Sequence, residues 1–433
     1  MLQINHLSVT HIRDLRPIVT DFSLVLQPGE KAAVIGEEGN GKSTLLKLIY
    51  DDSLVAGYAE WTGQILRGQN RLGYLPQELT PEEQAQTVQA YWSCRSPLSA
   101  PEEAALLKQL DLPEALATWD RPLSRLSGGE RIKLQLARLL TAQPDILLLD
   151  EPSNDLDLTA LEFLEHFLST WPGAALFVSH DETLIRNTAN VIVHLEALRR
   201  KTAPRATVAR LPYDQYVEGR QAKFRHQAQV SRQEHAEFQK RMDRFLRIRN
   251  QVEHQQASIS RQDPHGGRLL KKKMHAIQSM GRRFEQEKAK LTQMPELEEA
   301  IFLRFPDSAK IPQGKRVLEF QLPRLEAGGR TLSRDIHLTI TGPERIGIIG
   351  PNGCGKTTLL RQIAQCFSER QDVTAAYMPQ NYGEVFDLSA TPVDFLNRSG
   401  SRAEATQIRN YLGSLRFTTQ EMEHPLAGLS GGQ

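Results

Sequence analysis

An α/β fold written twice, with a basic helical hairpin between the two copies, is what this sequence predicts. Three observations carry that expectation. The first is repetition: GEEGNGKST at Gly36–Thr44 recurs as GPNGCGKTT at Gly350–Thr358, YLPQ ending at Gln77 recurs as YMPQ ending at Gln380, and RPLSRLSGGE at Arg121–Glu130 recurs as HPLAGLSGGQ at His424–Gln433. The offset is 314 residues for the first pair and 303 for the other two, and three motifs in one order mean duplicated domains. The second is that each copy opens as strand, glycine-rich loop and helix. The third is a long stretch between the copies with seven-residue apolar spacing and an excess of positive charge.

In chain order, MLQINHLSVTHIRD lacks the apolar core of a signal peptide, and Leu2, Ile4, Leu7 and Val9 suggest a starting strand. KAAVIG leads into Gly36 and RIGIIG into Gly350 as strand-like segments, while STLLKLIY and TTLLRQIA follow as helices. Ile146–Leu149 and Ala174–Val178 are apolar runs that read as buried parallel strands. The first copy continues sixty-odd residues beyond its LSGGE, whereas Gln433 closes the sequence inside the second copy's LSGGQ. The second copy is therefore expected to be C-terminally truncated; the alternative is a degenerate second half. The expected domains are 1–198, a basic linker at 199–316, and an incomplete second copy at 317–433.

A chain of 433 residues, 39% hydrophobic and 24% charged, suits two or three folded domains. No run of about 18 apolar residues is present, which argues against membrane insertion. Cys94, Cys354 and Cys366 show no metal-ligand spacing and no disulfide framework, so the cytoplasm is the expected compartment. The net charge of +1 hides an asymmetry: Arg199–Phe320 holds 27 Lys+Arg against 14 Asp+Glu, a local balance of +13. A basic middle between acidic flanks suits a polyanion.

Two copies of GxxxxGK[ST], each between a strand and a helix, predict phosphate cradles. Gly36, Gly39 and Gly41, like Gly350, Gly353 and Gly355, let backbone N–H groups approach phosphate oxygens, and Asn40, Thr44, Asn352 and Thr358 belong to the same loops. Lys42 and Lys356 are placed for the β- and γ-phosphates, and Ser43 and Thr357 for Mg²⁺. ILLLDEP ends a buried strand in two carboxylates: Asp150 suits Mg²⁺, and Glu151 suits the orientation or deprotonation of an attacking water. His180, in FVSHD, falls at the end of the next apolar run, where it can reach a γ-phosphate.

Gly36–Thr44, Gln77, Leu126–Glu130, LLLDEP and His180 together resemble the motif set of an ATP-binding cassette. That resemblance implies ATP as substrate and Mg²⁺ as cofactor. It implies that Gln77 and Gln380 sense Mg²⁺ and the attacking water. It also implies that Ser127, Gly128 and Gly129 close over ATP held by the opposite copy, as Ser430, Gly431 and Gly432 do in return. EPSNDLDL at Glu151–Leu158 resembles the EPTNHLDL of the ABC-F class, with departures at Ser153 and Asp155. Cassettes of this kind pair head to tail, which implies a monomer with two composite sites. They usually stack the adenine on an aromatic residue near the first strands; only His11 stands near that place, and the adenine contact is left open.

Tyr213–Arg220 leads into a stretch without proline until Pro264, in which Phe224, Phe238, Phe245, Val252 and Ile259 share one heptad phase with Ser231 at the skipped position. After DPHGG at Asp263–Gly267, read as a turn, Leu270, Ile277, Phe284 and Leu291 repeat the spacing. An antiparallel hairpin results, its tip within 250–267, with basic clusters at Arg241, Arg244, Arg247 and Arg249, at Lys271–Lys273 and at Arg282–Arg283. Such a surface suits a phosphate backbone. The linker resembles that of ABC-F proteins, which implies a ribosomal partner (rRNA and tRNA, at the tRNA exit site) and a role in translation or in protection against ribosome-targeting antibiotics. A DNA-associated duplicated-cassette ATPase and a cytoplasmic transporter subunit are the alternatives.

Overall fold

The computed structural model describes residues 1–93, 98–113, 119–198, 203–258, 264–292, 294, 311–368, 370, 372–379, 386–415 and 417–429, without the side chains of 100, 256–258, 264–267, 289 and 420. Cys94, Ile259, Gln380 and Ser430–Gln433 lie outside them. The chain forms two compact units, one from Met1–Tyr213 with Glu298–Gln433 and one from Asp214–Leu297.

Among the described residues the first copy contributes nine strands: β1 (Leu2–His11), β2 (Pro17–Leu26), β3 (Lys31–Ile35), β4 (Ala59–Leu66), β5 (Leu72–Leu75), β6 (Ile146–Asp150), β7 (Ala174–Val178), β8 (Val191–Ala197) and β9 (Ala203–Ala209). Its helices are α1 (Lys42–Tyr50), α2 (Pro81–Ala85), α3 (Val88–Ser93), α4 (Ala100–Gln109), α5 (Gly128–Thr141), α6 (Leu158–Thr170) and α7 (Glu182–Thr188). A six-stranded sheet runs in the order β5-β6-β7-β3-β8-β9, parallel except for β9, and an antiparallel sheet has the order β2-β1-β4. The two expected parallel strands are β6 and β7. They read as continuous apolar runs because every residue of both is buried, as a strand covered on both faces requires. One core cluster joins the two sheets and α1, through residues such as Leu2, Phe22, Val34, Leu45, Leu148 and Val193.

The starting strand has a feature its pattern foreshadows. Leu2 and Ile4 are in phase, as are Leu7 and Val9, but the two pairs are not in phase with each other. The pairing of β1 with β2 shifts register between Ile4 and Leu7, where His6 has φ 49°. The bulge returns all four apolar side chains to one face, and all four are buried.

Among the described residues the second copy contains a hairpin of β10 (Arg316–Ala327) and β11 (Arg330–Thr341), two-stranded where the first copy has three, and four helices described below. Leu318 and Phe320 of β10 pack against Ile363 of one of these, α10 (Lys356–Ser368). Val393, Leu412 and Met422, from α11 (Pro392–Leu396), α12 (Arg402–Ser414) and α13 (Thr419–Glu423), form a separate helical cluster. RIGIIG departs from expectation: residues 345–350 form no strand, and Ile349 is 95% exposed. In the first copy both neighbours of the corresponding strand, β7 and β8, follow LSGGE.

The unit Asp214–Leu297 is built from α8 (Tyr213–Ser258) and α9 (Pro264–Lys290). At 46 residues, α8 extends roughly 70 Å. Phe238, Phe245, Val252 and Ile277 are buried on the predicted seam, with Ser231 at 1% exposure in the skipped position. Phe284 contacts the rings of both Phe238 and Phe245. The antiparallel sense follows from pairs that run in opposite directions: Thr292 N–H donates to Glu234 at 2.8 Å, and Arg241 pairs with Glu287 at 3.0 Å. DPHGG is not a turn throughout, since α9 starts at Pro264; proline at the first helical position loses no hydrogen bond. Asp263 lies outside the described residues.

Candidate nucleotide site

The β3 strand ends at Ile35 and α1 begins at Lys42, so Gly36–Gly41 form a loop whose following helix points its N-terminus back at it. Two glycines there are required by space. A Cβ on Gly36 would lie 2.2 Å from the Leu195 carbonyl oxygen, and one on Gly41, at φ 83°, would lie 2.0 Å from Ile18 Cγ2. Asn40 fastens the loop to β8, its Nδ2 donating to the Leu195 carbonyl at 3.0 Å. Lys42 Nζ donates to the carbonyls of Gly36 (2.8 Å) and Glu37 (3.0 Å), which curls the ammonium over the loop.

Three strand ends converge on this loop. Asp150, at the end of β6, accepts a hydrogen bond from Ser43 Oγ at 2.9 Å. Glu151 follows with φ 49°, its N–H donating to Val178 of β7, and its Oε1 is 3.2 Å from His180 Nε2. The other oxygen, Glu151 Oε2, is buried with no hydrogen-bond partner. A cavity of about 670 Å³ is lined by Gly39, Gly41, Lys42, Ser43, Thr44, Gln77, Glu151 and His180, together with His11, Arg16, Ile18, Glu38, Tyr58 and Asn154. Of the sequence candidates in the first copy, the cavity thus gathers the loop, Gln77, Glu151 and His180, with Asp150 bonded to Ser43 beneath. Arg16, Ile18 and Tyr58 escaped the sequence reading, because they reach the cavity from β2, its approach and the turn before β4. Tyr74, on β5, was also missed; its buried hydroxyl lies beside Asp150, and burial first, then that carboxylate, push it up.

Burial governs the electrostatics. It raises both Asp150 and Glu151 above the usual carboxylate range, with Lys42 opposing in each case. Burial and then Lys42 hold His180 below its ordinary value, so the imidazole is neutral at pH 7. For Asp150 the linkage has a definite sign. Below the unfolded carboxylate pKa both states are neutral and no penalty exists; as pH rises through the raised folded value, the buried charge costs stability. Asp150→Asn is therefore expected to melt above the parent at pH 7 in metal-free, nucleotide-free buffer, the gap closing near pH 4 (about the unperturbed Asp value). Equal or lower melting at pH 7 would contradict this.

The second loop repeats the first. Gly353 and Gly355 have φ 79° and 99°, and Lys356 Nζ donates to the carbonyls of Gly350 (2.8 Å) and Pro351 (2.9 Å). Thr357 and Thr358 open α10. Beside this loop stands the first copy's LSGGE. Ser127 caps α5 in a capping box with Glu130, and Gly128 and Gly129 form the first turn. A Cβ on Gly128 would lie 2.2 Å from the Asp155 carbonyl oxygen and 3.3 Å from Asn352 Nδ2. Asn352 donates from its backbone to Asp157 Oδ2 (3.0 Å) and from its side chain to the Asp155 carbonyl (2.7 Å). Ser430–Gly432, expected to close over the first loop, and Gln380 of the second copy lie outside the described residues.

A family model described as ABC transporter matches residues 19–154 and 333–433, more than half of the chain and both loops. The chain belongs to the ABC family of ATPases. Its ABC relatives include the ribosome protection protein VmlR of Bacillus subtilis (strain 168), 31% identical over 94% of this chain and 70% of VmlR. The ATP-binding protein Uup of Escherichia coli (strain K12) is 29% identical over 96% of this chain and 68% of Uup. ATP-binding cassette sub-family F member 3 of Mus musculus is 29% identical over 72% of this chain and 41% of that protein. The chain is thus an ATP-binding ABC ATPase of the ABC-F type, and no helix among its described residues is long and apolar enough to cross a membrane.

Proposed function

We propose that this ABC-F ATPase is a cytoplasmic, monomeric translation factor that uses ATP to control how its basic hairpin engages ribosomal RNA and tRNA at the tRNA exit site. The observation that carries the reading is the charge of the hairpin: Arg241, Arg244, Arg247, Arg249, Lys271, Lys272, Lys273, Arg282 and Arg283 are all exposed on two helices joined by a seam of buried apolar residues such as Phe245, Val252 and Ile277. VmlR, named as a ribosome protection protein, aligns across 94% of the chain, which favours protection against ribosome-targeting antibiotics among the roles in translation. The working domains are 1–198, the linker 199–316 with its tip at 250–267, and 317–433.

At the first site, Gly36, Gly39, Asn40, Gly41 and Thr44 cradle the phosphates while Lys42 leaves its loop carbonyls for the β- and γ-phosphates. The Ser43 hydroxyl and Asp150 carboxylate, 2.9 Å apart, fit a hard divalent cation, with Gln77 completing the oxygen donors. When bound there, Mg²⁺ neutralises phosphate charge. Glu151, with one oxygen unpartnered, orients the attacking water and takes its proton; His180, neutral and held at Glu151, contacts the γ-phosphate. Ser430–Gly432 close over this nucleotide. At the second site Gly350, Asn352, Gly353, Gly355, Lys356 and Thr358 take the phosphates, Thr357 and Gln380 take Mg²⁺, and Ser127, Gly128 and Gly129 close from the first copy.

Changing Lys271, Lys272 and Lys273 together to Glu is expected to weaken ribosome binding at least about tenfold near 0.1 M salt and to flatten its salt dependence. Unchanged affinity and salt slope, with ATP binding intact, would move the partner away from RNA.

A further inference from the structure

We infer that Tyr74 is a positioning residue of the first site: from β5 its hydroxyl holds the Asp150 carboxylate in the orientation that receives the divalent cation, without touching the nucleotide itself. The inference rests on the reading of Ser43 and Asp150 as the pair that holds Mg²⁺.

The strand register brings the two side chains together. β5 runs parallel to β6 with Tyr74 beside Leu148, and neighbours in that register share a face of the sheet. Asp150, two residues beyond Leu148, shares it too. Two strand residues cover about 6.6 Å, a span that a tyrosine side chain lying along the strand can bridge. The ring is held from α1, whose Tyr50 stacks on it with centroids 5.2 Å apart and planes at 28°. The same helix supplies Ser43, whose Oγ donates to Asp150 Oδ1 at 2.9 Å.

The Tyr74 hydroxyl is buried close enough to Asp150 to interact with its carboxylate, yet it lacks a hydrogen bond of good geometry. A small rotation of the carboxylate about its Cβ–Cγ bond, a soft torsion, closes the contact. For packing alone phenylalanine would serve: it keeps the ring against Tyr50 and spares the cost of burying a polar group unpaired. A phenol is protonated at neutral pH, so toward an ionised carboxylate it can only donate. Carboxylates that hold cations are themselves held by hydrogen bonds. Ser43 supplies one, and Tyr74 is placed to supply the second. Tyr74 is not among the residues that line the nucleotide cavity; it lines a separate cavity of about 820 Å³ with Tyr50 and Arg138. Its influence on the chemistry therefore runs through Asp150. The second copy repeats the tyrosine as Tyr377 in YMPQ, while the residue after it changes from Leu75 to Met378.

The test reads metal binding apart from hydrolysis, in the whole chain carrying Glu151→Gln to slow turnover and Lys356→Ala to disable the second loop. Mn²⁺ affinity of the ATP-bound protein is followed by loss of the free-Mn²⁺ electron paramagnetic resonance signal, and ATP affinity is measured separately in EDTA. Tyr74→Phe is expected to weaken Mn²⁺ binding about tenfold or more while ATP affinity in EDTA stays within about twofold, the pattern for losing a hydrogen-bond partner of a metal-holding carboxylate. Added to Asp150→Asn, the same change is expected to alter Mn²⁺ affinity by less than about twofold further, because the hydroxyl acts through the carboxylate. Tyr74→Leu, which loses the ring as well, should melt lower with no larger loss of Mn²⁺ affinity. Mn²⁺ binding weakened by Asp150→Asn but unchanged by Tyr74→Phe would overturn this inference alone. So would a loss that follows melting temperature across the two Tyr74 variants, since that marks packing. Mn²⁺ affinity unaffected by Asp150→Asn would overturn the cation reading and this inference with it.

Discussion

Glu151→Gln is expected to slow ATP hydrolysis at the first site about 10²–10⁴-fold while ATP still binds, the range for removing a positioned general base. The carboxylate is buried just past the end of β6, raised by desolvation, and tied through one oxygen to His180 at 3.2 Å. Glutamine keeps the volume and an oxygen for His180 but accepts no proton. Single-turnover hydrolysis with the second loop disabled by Lys356→Ala reads this site alone. A rate within about threefold of the parent, with nucleotide affinity unchanged, would remove Glu151 from the chemistry.

The second large effect is on stability. Phe22, on β2, is 1% exposed in the cluster that joins both sheets of the first copy to α1. Phe22→Ala is expected to cost about 3–5 kcal/mol, because the transfer energy is lost and a cavity remains. Melting of the first copy should fall by roughly 6–20 °C, with Phe22→Leu losing much less. A drop below about 2 °C in calorimetry would mean the cluster collapses around the gap.

The two loops and the Asp150–Glu151 pair were legible because each is a set of particular residues at short, fixed spacing. Gly36–Thr44, Asp150 and Glu151 could be read without knowing how distant strands pair. So could the hairpin, where a heptad declares its seam whatever surrounds it. What escaped depends on distant pairing. The β1 bulge at His6 is set by its pairing with β2, and β9 joins the parallel sheet antiparallel through its register with β8. The cavity wall of Arg16, Ile18 and Tyr58 comes from segments with no motif of their own. Asp155 and Asp157 meet Asn352 across almost 200 residues, a contact no local pattern announces. RIGIIG misled for the complementary reason: an apolar run is a strand only where neighbours supply hydrogen bonds, and among the described residues no strand pairs with 345–350.

The most direct test of an ATP-controlled grip on the ribosome is co-sedimentation of the Glu151→Gln protein with ribosomes, with and without ATP. Slowed hydrolysis should hold the cassettes closed on nucleotide, so ATP is predicted to increase the pelleted fraction, and Glu at positions 271–273 is predicted to abolish the increase. Equal pelleting with and without ATP, in protein shown to bind ATP, would contradict the account.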